Sequence, residues 1–432
     1  MHLLTTTSAS IDELVEAVDL RQAPGDILIL SFADSDLSAL AAAWRAQRDV
    51  LPTLRLANLR DLRHPLSVDL WLDSVARHAK VVVVRLLGGF EWWRYGVERL
   101  SSLARETSIA LALLPGEDRD DPRLTEASTL PAHELHTLLH FFREGGRENL
   151  AALLRRLARY CGSSVDICEA RPVARMAGYI PHEGAVDLDR LAAFCPPERP
   201  CIPIIFYRAM LLAADTAAID ALARALTERQ LAPAPLVVPS LKDRAAAEFV
   251  RAALARLKPA AIVTATGFGA ATAGEPSPFD HTDVPVLQAV IATTRRSAWS
   301  QSPRGLGPAD LAMHVVLPEI DGRVLQGVIA FKGPLPTDGD LCFTAFGSLP
   351  EPDRVAIVAD RIAALVKLRA KPRAERRLAV LLPDYPGAAG RAGYAVGLDV
   401  PASTVALLSD LENANYDVAG APRTSRALLD TE

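Results

Sequence analysis

A histidine, a glutamate and an aspartate within eight residues of one another form the set best suited to moving protons and cations. The segment 304–323, RGLGPADLAMHVVLPEIDGR, places Glu319 and Asp321 beside Pro318, with His314 five residues before the glutamate. A positioned carboxylate takes up protons as a general base and holds hard or borderline cations, and a neutral imidazole is a ligand for borderline divalent metals. The apolar, β-branched run in MHVVLPEIDG (313–322) predicts a strand. That strand would carry both carboxylates to its end, into the crevice where open α/β sheets bind ligands. The same spacing also suits a strand followed by a plain acidic turn. A second set is His133, His136 and His140 in HELHTLLH. At i, i+3 and i+7 they share one helical face, which would suit a borderline metal or simply meet solvent. The second histidine falls at i+3, so this is not the zinc-protease HExxH pattern.

Two glycine-containing segments would let a backbone approach a ligand closely. In TATGFGAATAG (264–274), Gly267 and Gly269 follow a predicted strand without GxGxxG spacing, so a tight turn accounts for them as well as a ligand loop does. The segment 382–403 carries Gly387, Gly390, Gly393 and Gly397 ahead of a helix opened by Pro401. It reads equally as a ligand loop and as a surface crossover. There is no GxxxxGK[ST], and no Gly-Lys dipeptide anywhere, so a P-loop ATPase cannot be built from these residues. Nucleophile-elbow, kinase and paired CxxC signatures are missing too.

These residues need elements to hold them. Short apolar runs alternate with amphipathic stretches, the pattern of parallel sheets with helical crossovers. Strands are predicted at 26–32, 53–57, 80–87 and 108–115, with helices between them at 36–48, 66–78 and 91–106. A helical pattern with a Gly-Gly break at 145–146 fills most of 130–200 and ends in prolines 181, 196, 197 and 200. A second α/β series follows, with strands at 202–209, 235–240, 260–267, 285–292, 313–322 and 324–333 and helices at 215–230 and 243–257. A long helix spans 352–370, and 378–386 begins a third series with one strand and a helix near 401–414. The expected class is α/β and multi-domain, with Rossmann-like parallel sheets and a helical bridging segment. The expected division is an N-terminal α/β domain (1–125), a mainly helical bridging region (126–200), a second α/β domain (201–345), a connecting helix (346–375) and the truncated start of a third α/β domain (376–432). One strand cannot bury both its faces, so the chain is expected to be part of a longer polypeptide.

At 432 residues and net charge −5, the chain suggests several cores and offers no basic field for nucleic acid or an anionic bilayer. No run is long enough to span a membrane and the N-terminus does not resemble a secretory signal, which makes the cytoplasm the expected location. The five cysteines, 161, 168, 195, 201 and 342, read as reduced thiols.

Five segments carry a resemblance: DLRHPLSVDLW (61–71), GGFEWWRYG (88–96), 203–243 beginning PIIFYRAM, LAMHVVLPEIDGR (311–323) and 381–403 beginning LLPDYPG. Together they resemble the large subunit of aerobic cobaltochelatase. The last three are similar in the homologous large subunit of magnesium chelatase, and the first two favour the cobalt branch. The resemblance implies a tetrapyrrole- and metal-binding subunit that inserts Co²⁺ into hydrogenobyrinic acid a,c-diamide in cobalamin biosynthesis. It implies two smaller AAA+ partner subunits that hydrolyse ATP with Mg²⁺, and a piece that is inactive alone. It assigns metal delivery to Glu319, with Asp321 in support; His314 is a further candidate metal ligand by its own imidazole chemistry rather than by the family pattern. Arg295, Arg296 and Arg391 would pair with the acidic side chains of the substrate, beside Trp299, since guanidinium binds carboxylate bidentately. Trp92, Trp93 and Tyr95 suit either stacking on a macrocycle or a helix-opening core. The alternatives are a magnesium chelatase large subunit acting on protoporphyrin IX, and a non-catalytic two-lobed receptor for a small solute.

Overall fold

Alternate residues of the first strands face opposite ways, and both faces are apolar, which is the condition for a parallel sheet covered on two sides. The computed structural model describes residues 16–117, 121–271, 277–280, 282–382, 395 and 397–430. Strands β1 (Ile27–Ser31), β2 (Leu54–Asn58), β3 (Val81–Leu86) and β4 (Ala110–Pro115) form a parallel sheet in the order β2–β1–β3–β4. Ile27, Ile29, Val81 and Val83 pack with the helices Asp34–Arg45, Ala132–Glu144 and Gly146–Ala158. Leu28, Leu30, Val82 and Val84 pack with Pro65–Ser74 and Arg94–Thr107. The break between the two long helices falls at Gly145 and Gly146, both at positive φ (63° and 81°), where other residues would be strained.

One buried ion pair ties those two helices. Glu134, 7% exposed, accepts from Arg156 Nε and Nη2 at 2.7 Å each. The Arg156 guanidinium holds the Glu134 carboxyl below its ordinary value, against the opposing effect of burial. A depressed carboxylate pKa gives stabilisation that is complete above the ordinary value of 4.5 and is lost as pH falls through the folded value. Urea midpoints measured on acidification should therefore fall more steeply in the wild type than in Glu134→Gln.

The second sheet has the order β12–β11–β10–β9–β7–β8–β5–β6, built from β5 (Ala177–Ile180), β6 (Gly184–Val186), β7 (Cys201–Tyr207), β8 (Ala232–Val238), β9 (Ile262–Thr264), β10 (Val286–Ala292), β11 (Val324–Pro334) and β12 (Phe346–Pro350). Strands β7 to β11 are parallel, while the β5–β6 hairpin and β12 join antiparallel at the two edges. Among the parallel strands, the chain starts at β7, steps outward to β8, then returns past β7 to β9, so the order reverses between β7 and β9. The first sheet reverses likewise between β1 and β3.

Three expectations need correction. Residues 313–322 are not a strand: the helical turns Pro308–Leu311, Ala312–Val316 and Leu317–Ile320 run through them, the middle one π-helical. Valines 315 and 316 favour a strand locally, but the backbone of Met313 is claimed by Phe268 N–H at 2.7 Å. Pro318, which lacks a donor and crowds the preceding turn, stands at the second position of the turn that follows the wider π turn. Within 126–200, read as helical, the β5–β6 hairpin occupies 177–186. Residues 378–382 form no strand, and 383–386 lie outside the described residues. Leu378 and Leu381 stay exposed, as an apolar run without a strand neighbour must.

Two compact units result, 1–359 and 360–432. Helix Pro352–Ala370 forms as expected. The second unit holds the helices Val400–Asn413 and Ser425–Leu429, joined by an ion pair between Arg423 and Glu412. Among the described residues no helix is long and apolar enough to cross a membrane.

Candidate functional site

The turn carrying Glu319 is fixed from beneath by a buried polar network. Arg323 is 2% exposed, and its Nη2 donates to Asp321 Oδ2 at 3.0 Å. Its Nη1 approaches Gln288 Oε1 and Thr266 Oγ1, each at 3.4 Å. Gln288 Nε2 in turn donates to Thr266 O at 2.9 Å, and Thr264 Oγ1 donates to Gln288 Oε1. Asp321 also accepts the backbone N–H groups of Ala270 and Ala271. A Cβ added at Gly269 would lie 3.4 Å from Asp321 Oδ1, an ordinary van der Waals contact, so the loop passes close beside the carboxylate. Burial pulls the Arg323 guanidinium below its ordinary value, opposed by Asp321 and Tyr207. Tyr207 Oη, at the carboxyl end of β7, donates to Gly267 O at 2.8 Å. The turn is thus seated on the loop leaving β9, next to the β7/β9 reversal, where open α/β sheets bind ligands.

His314 lies under the same loop. A Cβ at Gly267 would meet its Cε1 at 3.2 Å and Nδ1 at 3.3 Å, so only glycine fits there comfortably. Burial lowers the imidazole pKa, and Asp310, 3.9 Å from Nε2, opposes that shift. The ring is therefore neutral near pH 7, and Nδ1 is buried without a hydrogen-bond partner. For Asp310, burial alone would raise the pKa. Hydrogen bonds from the hydroxyls and backbone N–H groups of Thr293 and Thr294, at 2.6–3.1 Å, hold it below its ordinary value. Those contacts anchor the segment's start to the exit of β10.

Glu319 differs from all of these. Its side chain is exposed, and among the described residues it makes no hydrogen bond or ion pair. Around it in sequence stand exposed apolar side chains, Val316 at 54%, Ile320 at 76% and Val324 at 54%. Val316 and Glu319, at i and i+3, share a helical face. The arrangement offers an unpaired carboxylate on an apolar surface, with its partner aspartate already committed to an arginine. It stands just before the amino end of β11, not at the carboxyl end of a strand as its apolar flank suggests.

The remaining candidates are placed less favourably. Arg296 holds Glu351 through Nη2 at 3.0 Å and Nε at 3.2 Å, and Trp299 packs on Phe331 with ring centroids 5.1 Å apart and Arg354 4.6 Å above it. Arg295 is exposed and precedes the helix Arg296–Gln301. No hydrogen bond or ion pair among the described residues joins these arginines to Glu319. Arg391 lies outside the described residues. His133, His136 and His140 are all exposed, and no cluster of three potential metal ligands occurs among the described residues. Trp93 is buried and donates to Leu62 O at 2.8 Å, whereas Trp92 is 43% exposed, edge-on to Phe32. Sequence reasoning missed Arg323, Gln288 and Asp310, because a buried arginine or glutamine carries no local pattern that separates it from an exposed one.

The description of the CobN/Magnesium Chelatase family matches residues 139–431. The chain is 38% identical over 437 residues to the aerobic cobaltochelatase subunit CobN of Pseudomonas aeruginosa, covering 99% of this chain and 34% of that protein. It is 26% identical over 434 residues to a magnesium-chelatase subunit of Rhodobacter capsulatus, covering 93% of this chain and 35% of that one. The catalytic subunit of cobaltochelatase from Mycobacterium tuberculosis has a similar structure, with a TM-score of 0.74 at 26% identity over 93% of this chain and 32% of its own. The chain therefore spans about a third of the length of the relatives it matches. With the family's description matched over more than half of its residues, the chain belongs to the CobN/magnesium chelatase family.

Proposed function

We propose that this chain forms part of the tetrapyrrole- and metal-binding subunit of an ATP-dependent cobaltochelatase, which inserts Co²⁺ into hydrogenobyrinic acid a,c-diamide in aerobic cobalamin biosynthesis. The observation that carries the reading is Glu319, an unpaired carboxylate on an apolar surface, held by a turn whose buried base is an ion pair. Insertion of a divalent metal requires two pyrrolic protons to leave and the metal's water to be exchanged for ring nitrogens. A carboxylate at the ring accepts a proton and holds the arriving cation, and apolar neighbours suit the face of a macrocycle. Asp321 supports the turn, and His314 is a neutral imidazole on the same segment. Arg295 and Arg391 are proposed for the carboxylates on the ring's periphery. Arg296 and Trp299 belong to the same proposal, though both would have to share their present contacts.

The reading includes ATP hydrolysis with Mg²⁺ on two smaller AAA+ subunits, which the lack of a P-loop in this sequence supports. It places the assembly in the cytoplasm. It keeps the division at 1–125, 126–200, 201–345, 346–375 and 376–432, which the two separate sheets support between the first and third of these parts. The cobalt branch is favoured over the magnesium branch by 38% identity against 26%.

Titration of the chain with hydrogenobyrinic acid a,c-diamide and with protoporphyrin IX, followed by tryptophan quenching, tests the reading. The corrin precursor should bind tighter by about tenfold or more, a difference of about 1.4 kcal/mol. Equal or tighter binding of protoporphyrin would contradict the cobalt branch.

A further inference from the structure

Two cysteines outside the site meet at the amino end of the second sheet. Cys195 closes the helix Leu188–Phe194, with its backbone N–H on Ala192 O, and Cys201 opens β7. The Cys195 thiol donates to Pro233 O at 3.8 Å, while Cys201 pairs in register with Ala232. Adjacent positions of β8 thus hold both residues, which pack against the same apolar cluster and whose thiols interact. Both are partly buried and neither is in a disulfide. The residues between them are Pro196, Pro197, Glu198, Arg199 and Pro200. Three prolines restrict that loop before any covalent link exists, so the sulfurs are kept together at little entropic cost.

We propose that Cys195 and Cys201 are a peroxide-reactive dithiol that closes reversibly into an intramolecular disulfide. The hydrogen bond from Cys201 holds the Cys195 thiol below its ordinary value despite burial, which makes Cys195 the attacking thiolate. That same bond, together with burial and the neighbour's charge, pushes the Cys201 thiol far up. Cys195 attacks one peroxide oxygen, the O–O bond breaks, and hydroxide leaves and is protonated to water. The sulfur is now a sulfenic acid, and the negative charge that kept the proton on Cys201 is gone. Cys201 then loses its proton and attacks the sulfenic sulfur. The S–O bond breaks and a second water leaves. Two thiols and one hydrogen peroxide become one disulfide and two waters, and a thiol reductant reverses the change. The other cysteines lack this arrangement. Cys168 is exposed, and burial pushes the Cys161 thiol up to about 11.

The test exposes the full, reduced chain to one equivalent of hydrogen peroxide, blocks remaining thiols with N-ethylmaleimide and digests with trypsin. Arg199 precedes Pro200 and resists cleavage, so both cysteines stay in the peptide 191–208. That peptide should lose both labels and two hydrogens before Cys168 is oxidised, and dithiothreitol should restore the labels. Cys201→Ser should accumulate a sulfenic acid at Cys195, captured by dimedone. Cys195→Ser should slow oxidation of Cys201 by about tenfold or more. A wild-type peptide 191–208 that keeps both labels while Cys168 is oxidised, or a disulfide from either cysteine to another position, overturns the proposal.

Discussion

Asp321→Ala is expected to lower the chain's unfolding free energy by roughly 3–5 kcal/mol, the range for breaking a buried ion pair from one side. The side chains of Asp321 and Arg323 are only 2% and 0% exposed, so neither solvent nor salt can replace the lost partner. Arg323 Nε is already buried without a hydrogen bond, and loss of Asp321 would strip Nη2 as well. The backbone N–H groups of Ala270 and Ala271 would lose their acceptor at the same time. Glu319→Ala, two residues away but exposed and unpaired, should change stability by no more than about 0.5 kcal/mol. Urea unfolding of the two variants beside the wild type checks the contrast. Comparable losses for both would mean that Glu319 also holds the fold, and would remove the division of labour drawn between the two carboxylates.

That division was only partly legible in the sequence. The strands of both sheets are uniform apolar runs, Val81 to Val84 being the plainest, and such runs declare a strand buried on both faces. The long helices declare themselves through leucines at helical spacing, as in 150–157. Local pattern failed where tertiary contacts decide. Residues 313–317 have strand-like composition, yet Met313 O is taken by the loop after β9, and Asp310 pins the preceding turn to Thr293 and Thr294. The short hairpin at 177–186 has too few residues to show an alternation, and its place depends on the register of Ala177 with Val237, some sixty positions away. The pairing of Cys195 with Cys201 is invisible to spacing rules because it rests on a proline loop and on the edge of β8. For the site itself, Glu319 and Asp321 were found as a pair, but only burial separates the one that is free to react from the one that is already bound.

The second large effect concerns that free carboxylate. On the proposed function, Glu319→Gln in the assembled enzyme keeps the shape of the side chain and its polarity but removes the base and the charge. Loss of a positioned general base slows a reaction by about 10²–10⁴-fold. Tetrapyrrole affinity should change little, since the apolar neighbours Val316, Ile320 and Val324 remain. The loss should therefore appear in the rate of insertion at saturating corrin precursor and in the dependence on Co²⁺. His314 cannot substitute readily, because its imidazole is buried under Gly267 while Glu319 is exposed.

The most direct measurement of the proposed function is the rate of Co²⁺ insertion by the full-length subunit with the ATPase partners that this reading includes, wild type against Glu319→Gln, with urea midpoints and corrinoid affinity measured on the same preparations. Insertion reduced by about 10²–10⁴-fold, at unchanged stability and binding, is the predicted result. Insertion at the wild-type rate would contradict the assignment of Glu319 to proton and metal transfer.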